Sequence, residues 1–125
     1  MPQMIEGVSH IDTTELHDLL ESNKDVYIID VREPDEYTEG HIAGVPLIPM
    51  GDIPNVAGEL DPSAEYVFIC RSGRRSFEVA KFLQKQGFAH VHNYSGGMLA
   101  WDDEMTVGPE HVIEDEISMD KLKRK

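Results

Sequence analysis

Apolar residues in this chain gather into short runs that predict buried strands. The apolar, β-branched run over 26–31 is typical of a strand covered on both faces. Residues 66–70 form a further run of this kind, and residues 91–94 predict a further short strand. The run over 45–48 contains Pro46, which cannot donate a backbone hydrogen bond and so limits it to an edge or a short strand.

Helix signals alternate with these runs. Asp12 followed by Glu15 is typical of a capped helix start, and leucines then recur at helical spacing. Residues 74–86 predict a longer helix that ends at Gly87. Shorter helical turns are predicted at 34–37 and 97–101.

Strands that alternate with helices predict an α/β architecture with parallel strands and right-handed crossovers. Sites in such folds lie at the carboxyl ends of strands. Cys70 falls at such an end, just before a predicted helix. It is therefore the first candidate for a functional residue.

Composition restricts the class of protein. The chain has 125 residues, which is enough for one domain, and 40% of them are hydrophobic. No apolar run reaches the roughly 20 residues that span a bilayer, and the N-terminus lacks the features of a secretory signal. Its one cysteine cannot form an internal disulfide. We therefore expect a cytoplasmic protein with no membrane partner.

The charge distribution indicates what kind of ligand the chain binds. The formal net charge is −13, which argues against binding to nucleic acid. Arg71, Arg74 and Arg75 nevertheless stand together directly after Cys70. This local cationic patch predicts a small anionic ligand.

The segment after Cys70 predicts an anion cradle with a nucleophile at its base. Cys70 is followed by Arg71, Ser72, Gly73, Arg74, Arg75 and Ser76. Backbone N–H groups in a strand-to-helix turn, the positive end of the next helix and the arginines all favour a thiolate over a thiol. Gly73 allows the loop to turn with φ > 0, and the two serine hydroxyls can donate to an anion.

Two other interpretations of Cys70 remain open at this point. A buried structural cysteine at a strand end has no need of three arginines and two serines close by. A cysteine phosphatase has an arginine six residues after its cysteine, whereas this chain has Ser76 there and Arg75 one residue earlier. The loop is thus short for a phosphate and suits attack on the exposed sulfur of a thiosulfonate.

Three ordered motifs resemble the rhodanese-type sulfurtransferases of the single-domain kind. The segment 70–76 contains a stretch that resembles their six-residue active loop, which begins at the cysteine. Residues 30–44 resemble their first signature, and residues 96–101 resemble their C-terminal signature. The resemblance runs from about residue 11 to 101, departs from the family's pattern only at Val45 and Pro46, and implies a five-stranded parallel sheet flanked by helices. The expected domain is 9–104. Residues 105–125 are expected to be a polar tail, either helical or disordered.

The resemblance also implies an activity. Cys70 would carry a persulfide, with the loop amides and Arg75 holding the anion and the segment 71–76 binding the substrate. Sulfur would pass from thiosulfate or a related anionic donor to an external thiol or cyanide, with no cofactor or metal. A persulfide carrier fed by a partner protein, a phosphatase or arsenate reductase, and a non-enzymatic binding module remain as alternatives.

Other conspicuous polar residues are assigned no catalytic role. Asp30, Arg32, Glu36 and His41 are expected to form a polar network that fixes the first loop near the site. His90 and His92 alternate on a predicted strand but have no further ligand in evidence, so no metal site is predicted there.

Overall fold

A computed structural model of the chain describes residues 3–22, 25–113 and 117–124. Its strands are β1 (Gln3–Ile5), β2 (Val8–Ile11), β3 (Val26–Asp30), β4 (Glu65–Ile69) and β5 (His90–Tyr94). Its α-helices are α1 (Thr13–Glu21), α2 (Pro34–Glu39), α3 (Ile53–Val56), α4 (Arg74–Lys85) and α5 (Gly97–Ala100). Short 3-10 turns lie at Met50–Asp52, Ala57–Glu59 and Met119–Leu122.

The five strands form one sheet in the order β1-β2-β5-β4-β3. Neighbours from β2 to β3 pair in parallel, while β1 pairs with β2 antiparallel. The α/β fold with five strands is confirmed, but the expectation of a wholly parallel sheet is corrected to a mixed one. The antiparallel pair arises because Glu6 (φ 50°) and Gly7 (φ 81°) form a tight hairpin turn of the kind that needs two positive φ angles.

Helix α1 begins where the sequence predicts. The Glu15 amide donates to Asp12 Oδ1 at 2.8 Å, and the Asp12 amide donates to Glu15 Oε1 at 3.0 Å. This reciprocal pair satisfies amides that a helix start would otherwise leave unpaired. It fixes the position at which the chain leaves β2 to cross the sheet.

Side chains of alternate strand residues enter two cores, one on each face of the sheet. Val67 and Ile69 of β4 pack with Leu16 of α1 in one apolar cluster. Tyr66 and Phe68 of the same strand pack with residues of α4 in the other cluster. Both faces of β4 are therefore covered by helices, as its unbroken apolar sequence predicts.

The C-terminal residues that the structure describes lie against this domain. Ile117 and Leu122 belong to the same core cluster as α4, and Leu122 is fully buried. Val112 bridges to Leu47, which in turn bridges to Asp30 at the end of β3. Residues 114–116, in the acidic part of the expected tail, lie outside the described residues.

No helix in the described part of the chain is long and apolar enough to cross a membrane.

Candidate active site

The loop after β4 lies at the carboxyl end of the central strands. Strand β4 ends at Ile69 and helix α4 begins at Arg74, so the segment between them makes the turn. Gly73 takes φ 89°, and a Cβ there would collide with the carbonyl of Ser95. Glycine is required at this position for both reasons.

The sulfur of Cys70 is fully buried and held by polar groups of its own loop. The Gly73 amide donates to Cys70 Sγ at 3.1 Å, and Ser76 Oγ lies 3.3 Å from the same sulfur. Burial alone would also fit a structural cysteine, but an amide donor and a hydroxyl that both contact the sulfur can stabilise negative charge on it.

Asn93 of β5 connects the loop to the sheet. Its Nδ2 donates to the carbonyl of Gly73 at 3.0 Å, and its Oδ1 accepts a short hydrogen bond from Ser76 Oγ. Ser76 has one hydroxyl proton and therefore two competing acceptors, Asn93 Oδ1 and the Cys70 sulfur. The hydroxyl can thus donate to a thiolate, or accept from a thiol while it donates to Asn93.

Sequence reasoning missed Asn93. The available signal was an amide side chain that interrupts a buried strand between Val91 and Tyr94, both of which are buried. A buried polar residue in such a strand must find a partner. Here that partner is the loop.

The Gly96-Gly97 turn packs against the cysteine loop. Gly97 has φ 61°, and a Cβ there would collide with the carbonyl of Arg71. The amides of Met98 and Leu99 donate to the carbonyls of Cys70 and Arg71, each at 2.9 Å. The C-terminal motif predicted from sequence is therefore in direct contact with the cysteine loop.

The remaining residues that the sequence predicts to bind the substrate differ in their exposure to solvent. Arg71, Ser72 and Arg74 are exposed, whereas Gly73 and Ser76 are buried and Arg75 is half-buried. The three arginines therefore differ in their contact with solvent. Arg71 is the one that lines a surface groove next to the loop.

Arg75 makes a contact that the sequence did not predict. Its two terminal nitrogens donate to the two carboxylate oxygens of Glu36, at 2.7 and 2.8 Å. The hydrogen bond from Arg75 lowers the pKa of Glu36 to about 2. The same bond raises the pKa of Arg75, and negative charge on Cys70 adds a smaller effect in the same direction.

The expected network around the first loop divides into separate pairs. Arg32 and Asp30 form a buried ion pair at 2.8 Å, and Arg32 also donates to the carbonyl of Gly40. His41 Nε2 lies 3.0 Å from a carboxylate oxygen of Glu110, which also accepts from the Gly44 amide. Within the described part of the chain, Glu36 is the predicted member that forms an ion pair with a residue of the cysteine loop.

The two histidines of β5 have different surroundings. His92 Nε2 lies 2.6 Å from a carboxylate oxygen of Glu65, and His90 is exposed. Within 3–22, 25–113 and 117–124, no three potential metal ligands come together.

Comparison with known proteins identifies the family. Residues 12–104 match the model of the rhodanese-like domain. The Bacillus subtilis protein YtwF is 48% identical over 97 residues, covering 78% of this chain and 93% of YtwF. Thiosulfate sulfurtransferase GlpE of Pseudoalteromonas translucida is 32% identical over 93 residues, covering 74% of this chain and 88% of GlpE.

Solved structures give the same result. A rhodanese-like domain protein from Staphylococcus aureus superposes with a TM-score of 0.71 at 36% identity, covering 78% of this chain and 96% of that one. Both the cysteine loop and the glycine turn that supports it fall inside the matched residues. The chain therefore belongs to the rhodanese-like domain family.

Proposed function

We propose that this protein transfers a sulfane sulfur from thiosulfate, or a related anionic donor, to an external thiol or cyanide through a persulfide on Cys70. The observation that carries the proposal is the pair of polar contacts on the buried sulfur, one from the Gly73 amide and one from the Ser76 hydroxyl, which can donate to a thiolate. The relative GlpE, which this chain covers over 88% of its length, is a thiosulfate sulfurtransferase, and this supports thiosulfate as the donor.

The reaction has two balanced steps. In the first, the Cys70 thiolate attacks the outer sulfur of thiosulfate, the S–S bond of the donor breaks, and sulfite leaves with the bonding electron pair. In the second, cyanide or a thiolate attacks the outer sulfur of the persulfide, and the electron pair returns to Cys70. Since Cys70 is the only cysteine, the acceptor must come from another molecule.

Donor binding is assigned to the loop backbone and to its exposed cations. The twelve residues of α4 present the positive end of a helix directly after the loop. Arg71 and Arg74 are exposed and can meet an incoming anion, whereas Arg75 already binds a carboxylate of its own chain. Arg75 therefore acts mainly by holding the loop, and its share in donor binding is smaller than the sequence suggested.

Burial of the cysteine also fits a persulfide. An outer sulfur extends about 2 Å beyond the one to which it is bonded. The inner sulfur would keep its contacts with Gly73 and Ser76, and the outer sulfur is the atom that the acceptor attacks.

Intact mass spectrometry tests the proposal. After incubation with thiosulfate and gel filtration, the wild type should gain the mass of one sulfur atom and lose it on addition of cyanide. Cys70→Ser should gain none, and Ser76→Ala should load more slowly because it lacks one donor to the sulfur. An unchanged wild-type mass with thiosulfate and with a persulfide donor would favour the binding-module alternative.

Two further outcomes separate the remaining alternatives. Loading by a small persulfide but not by thiosulfate would assign the chain as a carrier fed by a partner protein. Turnover of an aryl phosphate that disappears in Cys70→Ser would assign a phosphatase instead. We expect negligible phosphate turnover because Ser76 stands where phosphatases have their arginine.

A further inference from the structure

Exposed apolar side chains are concentrated beside the cysteine loop. Among the described residues, five large apolar side chains are exposed, namely Met4, Ile5, Leu99, Met105 and Val107. Three of the five lie between 99 and 107, and the other two lie on β1. Leu99 is 64% exposed and Met105 is 55% exposed. Exposed apolar groups that cluster in this way mark a binding surface.

Leu99 and Met105 line a groove of about 250 Å³, together with Met98. Arg71 of the cysteine loop lines the same groove, so it lies immediately beside the candidate active site. Glu39, which is exposed, also lines it and adds negative charge. The groove thus combines apolar side chains with charges of both signs.

Both apolar residues are held in place by backbone contacts. The Leu99 amide donates to the carbonyl of Arg71, which ties α5 to the loop. Met105 packs on Gly40, where a Cβ would come within 3.2 Å of its sulfur. The next residue, Thr106, exchanges two backbone hydrogen bonds with His41, at 2.8 and 2.9 Å. Backbone hydrogen bonds and packing therefore fix the positions of the residues that line the groove.

We infer that this groove docks the sulfur acceptor, and that the acceptor is a cysteine on a basic protein segment with an apolar side chain next to it; this rests on the proposed function. A small acceptor such as cyanide has no use for an apolar surface. The side chain next to the acceptor cysteine would bury Leu99 and Met105. The exposed acids Glu39, Asp103 and Glu104, in a chain of net charge −13, favour a basic partner.

The transfer step needs no further reactant. The acceptor thiolate attacks the outer sulfur of the Cys70 persulfide, so that a new S–S bond forms on the acceptor. The S–S bond to Cys70 breaks, and its electron pair returns to the Cys70 thiolate. The acceptor leaves as a persulfide.

Two synthetic peptides test the surface. One carries Lys-Leu-Cys-Leu-Lys and the matched one carries Glu-Gly-Cys-Gly-Glu, and each receives sulfur from loaded protein. We expect the basic apolar peptide to react about tenfold faster, with a preference that decreases as salt rises. Leu99→Gln and Met105→Gln should each lower the ratio of the peptide rate to the cyanide rate several-fold. Met4→Gln, which changes a methionine on β1 that is 65% exposed, should leave this ratio unchanged. Equal rates for the two peptides, or an unchanged ratio in the Leu99→Gln, Met105→Gln double variant, would overturn the inference.

A binding measurement separates this inference from the proposed function. The basic peptide with serine in place of cysteine cannot accept sulfur, and its anisotropy reports docking alone. Wild type should bind it several-fold more tightly than the double variant does, and equal binding would overturn the docking surface even if cyanide transfer persists. Failure to transfer sulfur to cyanide would instead count against the proposed function, while the serine peptide would still decide the docking surface.

Discussion

Single residues of the cysteine loop owe their identity to backbone geometry as much as to chemistry. Gly73 has a positive φ and lies against the carbonyl of Ser95, whereas Gly87 has a positive φ of 100° with open space around it. A comparison of substitutions at Gly73 and Gly87 therefore separates two energetic costs of adding a side chain, which usually occur together. One is the strain of the left-handed backbone, and the other is a collision with a neighbour.

We predict that Gly87→Ala lowers the free energy of unfolding by about 1–2 kcal/mol, the cost of the left-handed conformation. Gly73→Ala should lower it clearly more because the backbone of Ser95 must also move. Gly58→Ala, with no positive φ and no neighbour within 4 Å, is the control and should be close to neutral. Chemical denaturation measures all three. If Gly73→Ala and Gly87→Ala lower the free energy of unfolding equally, the backbone of Ser95 moves away from the new side chain without an energetic penalty.

The Glu36–Arg75 ion pair predicts that the stability of the fold decreases at low pH. The pKa of Glu36 is lowered to about 2 in the folded chain, so its carboxylate stabilises the fold fully above the usual value of 4.5. This contribution is lost as pH falls from 4.5 towards 2. Glu36→Gln should therefore show a shallower loss of stability over that range, measured by denaturation at several pH values.

Arg75→Met serves as the second arm of that experiment. It removes the largest cause of the lowered Glu36 pKa but leaves the hydrogen bond from the Glu33 amide, so the pH profile should flatten in the same direction and to a smaller extent than in Glu36→Gln. If both variants follow the wild-type profile, the pair does not contribute to acid stability.

At the scale of elements, sequence patterns located the helices and central strands better than the N-terminal strands. The Asp12 and Glu15 cap and the helix after Gly73 were predictable because caps and helical periodicity are local signals. Strands β1 and β2 were missed because their apolar and polar residues do not form a run. The turn at Glu6 and Gly7 was the signal that could have revealed them.

Contacts between elements were predictable only in part. The motifs indicated that 96–101 and 70–76 both belong to the site, but nothing local connects Asn93 to Gly73 or Glu36 to Arg75. These pairs are 20 and 39 residues apart in the chain, and the sheet order brings them together. The placement of Leu122 in the core is likewise a tertiary contact without a local signal.

We predict that Leu122→Ala lowers the free energy of unfolding by about 2–5 kcal/mol, the usual cost of a cavity in a core. Leu122 is fully buried with the residues of α4, although it follows the last residue of the family match. Val107→Ala is the matched control, because Val107 is 71% exposed and its truncation should change stability little. Thermal unfolding compares the two. A small loss for Leu122→Ala would mean that the C-terminal turn contributes little to the fold.

At the scale of the whole molecule, the dominant feature is the excess of negative charge. Twenty-four acidic residues stand against eleven basic ones, so like charges repel across the folded surface. The Arg32–Asp30 and Arg75–Glu36 ion pairs are buried or half-buried, whereas Lys123–Asp120 lies on the surface. Salt screens surface repulsion more strongly than buried or half-buried pairs.

We therefore predict that the melting temperature rises when sodium chloride is increased from about 20 to about 200 mM, where the screening length falls to below 10 Å. Differential scanning calorimetry at pH 7 measures the shift. An equal osmolality of glycerol serves as the control for non-ionic effects. A melting temperature that falls with salt would indicate that surface ion pairs outweigh the repulsion.

One edge of the sheet is covered and the other is open, and this difference limits how copies of the chain can assemble. Beyond β3, Leu47 and Val112 occupy the edge through single-residue bridges that offer no regular template. Strand β1 is short and exposed, and its outer edge has no partner strand in the described part of the chain. Fibre growth by strand addition needs an open edge at both ends of each unit. A chain with one such edge stops at a pair, so misassembly through β1 would end in a dimer and would not propagate into a filament.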